Sequence, residues 1–259
     1  AAGKPFQPTW ESLRKNPTPQ WLRDGKFGIY THWGVYSVPA VGPNGTWYSN
    51  HMYMDPNSPE RVYHEATYGP LEKFGYKDFI PMFTGEKFNA DEWADLFRKA
   101  GARFAGPVAE HHDGFSMWDT KYSEWNAARM GPKRDIVGEL SRAIKKRGLK
   151  FVTAFHHAEN WYFFPVWDKR YDCSDARYSG LYGPIHEKGA QPDPVGGAAD
   201  EDRRQDRLLH PLAQAGLQLR VGDLLALEVL GEDIVVRLAV KPTPTIGKDL
   251  PTLSKLFGT

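Results

Sequence analysis

Residues 89–115 read Asn89-Ala90-Asp91-Glu92-Trp93-Ala94-Asp95-Leu96-Phe97-Arg98-Lys99-Ala100-Gly101-Ala102-Arg103-Phe104-Ala105-Gly106-Pro107-Val108-Ala109-Glu110-His111-His112-Asp113-Gly114-Phe115. One helix-to-strand unit is written there. Asn89 is an N-cap, Asp91 and Glu92 stand in the acid-favouring first turn, and Gly101 stops the helix predicted over 89–100. Trp93, Leu96, Phe97 and Ala100 fall on one face of it. Two residues after the glycine, 103–109 is a short apolar strand, which delivers Glu110-His111-His112-Asp113 at its end.

The pattern recurs on both sides. Downstream, 135–147 is a helix capped by Asp135 and stopped by Gly148, with Ile136, Val137, Leu140, Ala143 and Ile144 inward. A strand over 150–155 follows and runs into His156-His157-Ala158-Glu159-Asn160-Trp161. Upstream, 26–32 reads as a strand ended by Gly34, and 9–15 as a short helix capped by Thr9. The intervening 35–88 is irregular, and a connection that long is functional or carries small helices of its own. Repeated βα units imply an α/β fold with a parallel sheet, whose ligand edge is the carboxyl end of the strands. All three polar clusters fall on that edge.

Composition bounds the rest. The 259 residues are 41% hydrophobic and 25% charged, enough for a buried core. A net charge of +1 argues against nucleic-acid binding by bulk charge. Cys173 is the single cysteine, which excludes an intrachain disulfide and a cysteine metal cluster. No apolar run reaches 18 residues, so no membrane span is expected. The Ala1-Ala2-Gly3 start fits a processed secreted protein or a trimmed chain. All nine tryptophans lie between Trp10 and Trp167, whereas beyond Val195 the sole aromatic is Phe257. Two kinds of sequence therefore meet near residue 193. The expected division is 1–193, a linker over 194–207, and a small hairpin-containing tail over 208–259.

His32, Glu110, His111, His112 and His156, with Trp47 in the long first connection, are the candidate site residues. Histidines both donate and accept hydrogen bonds, and tryptophan offers a flat apolar wall. That combination suits a sugar, whose hydroxyls need directional partners and whose C–H faces need an apolar surface. His111 and His112 cannot both point inward if both remain in the strand. A metal is not expected, since no H-E-x-x-H or helical His/carboxylate spacing occurs. No cofactor motif is present either. A Ser-His-Asp hydrolase is disfavoured by the lack of G-x-S-x-G.

The run from Trp21 to Ala40 (WLRDGKFGIYTHWGVYSVPA) resembles the N-terminal signature of glycoside hydrolase family 29, the α-L-fucosidases. AEHHDGFSMW at 109–118, Trp125-Asn126, GPKRD at 131–135, FHHAENW at 155–161 and LYGPIHE at 181–187 resemble its following blocks in order. The resemblance covers about residues 6–193. It implies a (β/α)8 barrel, here with its first three strands, and retaining hydrolysis of α-L-fucosides. In that family histidines matching His32, His111 and His112 bind fucose hydroxyls, and an aromatic matching Trp47 lines the pocket. Glu110 and His156 neighbour them. The implied partner is a fucosylated glycan or small fucoside, and the implied location secreted, periplasmic or lysosomal. Thr46 stands where the family usually has glutamate. The resemblance also stops before the family's nucleophile and acid/base, so no catalytic residue is assigned and activity is expected to be impaired. Two alternatives stay open: a non-catalytic fucose binder, and a DNA-binding regulator acting through the tail. Residues 208–240 resemble half of an AbrB-type swapped-hairpin domain, though a generic hairpin reads as well.

Overall fold

Strand β2 (Phe104–Glu110) is the axis on which the other strands are hung. The computed structural model describes residues 19–191; the helix expected at 9–15, the linker and the hairpin tail lie outside the described residues. Strand β1 (Gly28–Thr31) runs parallel to β2, from Gly28 opposite Phe104 to Thr31 opposite Pro107. On β2 also pair β3 (Lys150–Phe151) and β4 (Ala154–Phe155), both parallel. The sheet is wholly parallel, as the βα repeats require.

The single strand expected over 150–155 is interrupted at Val152-Thr153. Its cause sits across the ladder, in Gly106-Pro107. Proline has no N–H to give, so a ladder bond is missing there. The Pro107 carbonyl instead accepts from Thr153 Oγ1 at 2.7 Å. The Val152 carbonyl leans over Gly106, 1.5 Å from where a Cβ would stand. Pairing resumes with an irregularity between Val108 and Glu110.

Two helices cover the sheet as expected. Helix α4 (Ala90–Lys99) is capped by the Asn89 side chain, which accepts from the Asp91 and Glu92 amides at 3.1 and 3.2 Å. Helix α5 (Ile136–Lys146) is capped by Asp135, which accepts from the Gly138 amide at 2.9 Å. Replacing Asp135 by alanine is expected to cost about 1 kcal/mol, measured by urea unfolding. All five apolar positions named for α5 are buried. In α4 the buried stripe is Ala90, Ala94 and Phe97, while Leu96 is 63% exposed. The inward face is thus turned from the expected one. Two small alanines let α4 lie against α5, and Arg147 then ties their ends by pairing with Asp91 and Asp95.

Short helices precede and punctuate the long connection: α1 (Gln20–Gly25), α2 (Tyr48–Met54) and α3 (Pro59–Tyr68). Ser58 caps α3, accepting from the Arg61 amide at 3.0 Å, and Pro59 takes the first position. Tyr48, Tyr76 and Phe79 are fully buried beneath this segment. After β4 come α6 (Asn160–Phe163) and α7 (Ser179–Tyr182). No helix among the described residues is long and apolar enough to cross a membrane.

Candidate functional site

Three of the four strand ends hand histidines to the same place. β1 ends at Thr31 and is followed by His32; β2 ends at Glu110 and is followed by His111 and His112; β4 ends at Phe155 and is followed by His156. The ring centroids of His32 lie 5.6 Å from those of His111 and of His156. His111 stacks on His156 at 4.7 Å, and His112 stands 4.5 Å from His111 and 4.9 Å from His156. Because β2 has ended, the alternation of side chains no longer sends His111 and His112 to opposite faces.

The cluster is held by its own backbone. His112 Nδ1 donates to the His156 carbonyl at 2.9 Å, which leaves Nε2 as the acceptor. Asn160 Nδ2 donates to the carbonyls of His112 and Leu181, at 2.8 and 3.2 Å. Gly114, with φ +77°, lets the chain pass beneath the Leu181 carbonyl, where a Cβ would lie only 2.0 Å away. Glu110 is buried and anchors the floor: Ser116 Oγ donates to one oxygen and His157 Nδ1 pairs with the other.

An aromatic rim completes the arrangement. Trp47 lies 5.3 Å from His112 and 5.2 Å from Phe163, and Phe163 lies 5.2 Å from His112. The Tyr36 ring is 5.1 Å from His111, and the Tyr30 hydroxyl is 3.0 Å from His156 Nε2. All six sequence-derived residues are therefore linked: the four histidines and Trp47 through ring contacts, and Glu110 through His157 and the His156 amide, which donates to its carbonyl at 2.8 Å.

Burial sets the charge state. Desolvation, reinforced by His112, His156 and His32, holds the His111 imidazole far below its ordinary range. Desolvation, then His112 and His32, takes His156 down to about 3. Both rings are neutral at pH 7 and each can donate and accept. Asp113 goes the other way: complete burial raises its carboxyl to about 7, against the opposing hydrogen bonds from the Tyr76 hydroxyl (2.6 Å) and the Phe115 amide. Among the described residues, the buried His111 Nδ1 and Tyr36 hydroxyl have no hydrogen-bond partner. Buried polar atoms are rarely left so, and both lie beside the cluster.

Tyr30, Tyr36, Phe163 and Ser116 were not among the sequence candidates. Tyr30 precedes His32 by two residues, and period-2 alternation would have placed the two on one face. No comparable local signal exists for Tyr36 or Phe163. Trp161, expected with His156, stacks on His186 instead, at 4.3 Å and 3°. Glu65 is engaged by Arg61 on α3. Glu159, half exposed, places Oε2 3.5 Å from His112 Nε2. Thr46 donates to Asn44 at 2.9 Å.

Comparison with known proteins gives the chain a family. The family model described as alpha-L-fucosidase matches residues 1–187. The chain is 40% identical over 163 residues to the tissue alpha-L-fucosidase of Rattus norvegicus, covering 62% of this chain and 34% of that protein. It is 45% identical over 144 residues to the plasma alpha-L-fucosidase of Homo sapiens, covering 55% of this chain and 30% of that one. The chain thus spans about a third of the length of the curated relatives it matches. Among solved structures, the Thermotoga maritima alpha-fucosidase in complex with fucose is 45% identical with a TM-score of 0.54, over 58% of this chain and 37% of that one. The same enzyme with a mechanism-based inhibitor is 37% identical with a TM-score of 0.61, over 80% and 48%. On the extent of the family match, this chain belongs to the alpha-L-fucosidase family.

Proposed function

We propose that this chain carries the fucose-recognition side of an α-L-fucosidase site, on a sheet that forms part of a (β/α)8 barrel. The observation that carries the reading is the convergence of four histidines from three strand ends under Trp47 and Phe163. Imidazoles donate to and accept from sugar hydroxyls, His111 and His156 as neutral rings, and the aromatic rim faces the C–H surface and C6 methyl of an L-fucose ring. His32, His111, His112 and His156 make the polar contacts, and Glu110 positions them through His157 and the His156 backbone. The relative solved with fucose supports this ligand class.

Hydrolysis with retention needs two carboxyls about 5–5.5 Å apart, one as nucleophile and one as acid/base. Beside the histidines, Glu110 is bonded to Ser116 and His157, and Asp113 to Tyr76 and the Phe115 amide. Among the described residues beside the histidines, Glu159 alone is exposed. One open carboxylate among the described residues does not make a retaining pair, and the reading is therefore fucoside binding with poor turnover. A secreted or lysosomal-type location fits the plasma enzyme among its relatives.

Tryptophan fluorescence titrated with L-fucose tests binding, and release of nitrophenol from an aryl α-L-fucoside tests turnover. The expected result is saturable quenching, weakened at least about tenfold by His112→Gln, since removing one hydrogen-bonding partner of a sugar hydroxyl strands the other. Fucose binding unaffected by that change would remove the site assignment. Rapid turnover by the purified chain would remove the claim of impaired hydrolysis.

A further inference from the structure

The three rings of His111, His112 and His156 each present one nitrogen, and these nitrogens all lie within 4.8 Å of one another. We propose that this triad is also a binding site for a divalent transition-metal ion of the zinc class, and that the metal excludes the sugar. Imidazole nitrogen suits zinc, cobalt, nickel and copper, and three histidines with one open position form a familiar tetrahedral zinc set.

Three observations support metal ligation beyond mere proximity. His112 Nδ1 donates to the His156 carbonyl, so Nε2 carries the lone pair and the ring plane is set by a bond of the kind that orients metal-ligating histidines. His156 Nε2 meets the Tyr30 hydroxyl at 3.0 Å, and the tautomer in which Nε2–H donates to that oxygen puts the lone pair on Nδ1. His111 is almost fully buried, and its Nδ1 has no hydrogen-bond partner among the described residues. The fourth position is left to a water or an anion; the Glu159 carboxylate lies at the edge of the cluster, 3.5 Å from His112 Nε2.

Zinc–nitrogen bonds of about 2.0–2.1 Å put tetrahedral ligand atoms roughly 3.4 Å apart. Separations of up to 4.8 Å must therefore close by up to about 1.4 Å on binding, through rotation of the three side chains. Metal and sugar would use the same nitrogens, so occupancy by one excludes the other. Metal binding itself does not depend on the fucose reading; only the competition does.

The test is calorimetric titration of the purified chain with ZnCl2 in a non-chelating buffer, with Co2+ absorption reporting geometry. The expected result is one equivalent of Zn2+, weakened at least about tenfold by His112→Gln or His156→Gln and unchanged by His186→Gln, which lies outside the triad. Co2+ should give the intense visible bands of a tetrahedral site, and saturating L-fucose should weaken Zn2+. No binding, or binding indifferent to both triad variants, overturns the site. Zinc binding that fucose leaves unchanged overturns the exclusion. Circular dichroism checks that each variant folds. If both triad variants fail to fold, the decision passes to the Co2+-loaded unmodified chain: at least two hyperfine-shifted imidazole N–H proton resonances are required, and fewer overturn the proposal.

Discussion

Gly106→Ala is expected to destabilise the fold by about 4 kcal/mol or more, a large share of the stability of a single domain. The new Cβ would stand 1.5 Å from the Val152 carbonyl oxygen and 2.7 Å from its carbonyl carbon. Both are backbone atoms, so no rotamer change relieves the clash. β2 would have to part from the chain between β3 and β4, losing bonds such as that from the Val152 amide to Ala105 and from Thr153 Oγ1 to Pro107. Overpacking by one methyl costs about 1–3 kcal/mol when side chains can give way, and more when they cannot. Total stability is only about 5–15 kcal/mol. Gly45→Ala is the control: nothing lies within 4 Å of its added Cβ, and its stability should change by less than about 0.5 kcal/mol. Urea unfolding of the two variants makes the comparison. Equal, small effects would mean that the backbone crossing at Gly106 is wrong.

Acidification should destabilise the chain well above the carboxylate range, because its buried histidines resist protonation. Folded His111 and His156 stay neutral where their unfolded counterparts, with pKa near 6.5, take up protons. Their depressed values therefore contribute stability above pH 6.5 that is lost as pH falls towards the folded values. Asp113 opposes this: folded, it keeps its proton up to about 7, while unfolded it releases it above about 3.8. Between about pH 4.5 and 6 the unfolded state holds one proton more at each histidine and one fewer at the aspartate. One extra proton makes stability fall by about 1.4 kcal/mol per pH unit. His64, also depressed by burial, adds in the same direction.

The groups around the two rings are His32, His112, Tyr30 and Tyr36, with Glu110, Asp113 and Glu159 as the nearby acids. Urea midpoints measured with EDTA across that window decide the matter. His156→Gln should flatten the slope by about 1.4 kcal/mol per pH unit, and Asp113→Asn should steepen it by the same amount. A chain that gains stability on acidification, or a His156→Gln slope equal to the parent's, contradicts the charge states assigned to the site.

Local chemistry made much of the fold and half of the site legible. Asn89 and Asp135 announce helix starts because a cap needs only the next three amides. The apolar periodicity of 136–144 sets the buried face of α5 because that helix meets its surroundings along one uninterrupted stripe. His32, His111, His112 and His156 could be grouped because parallel strands bring their carboxyl ends to one edge whatever lies between them. The resemblance of the family blocks supplied the proposed ligand class for the same residues. Tertiary structure alone decided the rest, since it depends on partners far apart in the chain. The third strand breaks because Gly106-Pro107 lies opposite it, 46 residues earlier. Leu96 turns outward because α4 approaches α5 through its alanines. Tyr30 reaches His156 across 126 residues, and Trp47 meets Phe163 from another loop. The inverted proton affinities of His111 and Asp113 follow from burial, which belongs to the packed molecule and is not written in either residue's neighbours along the chain.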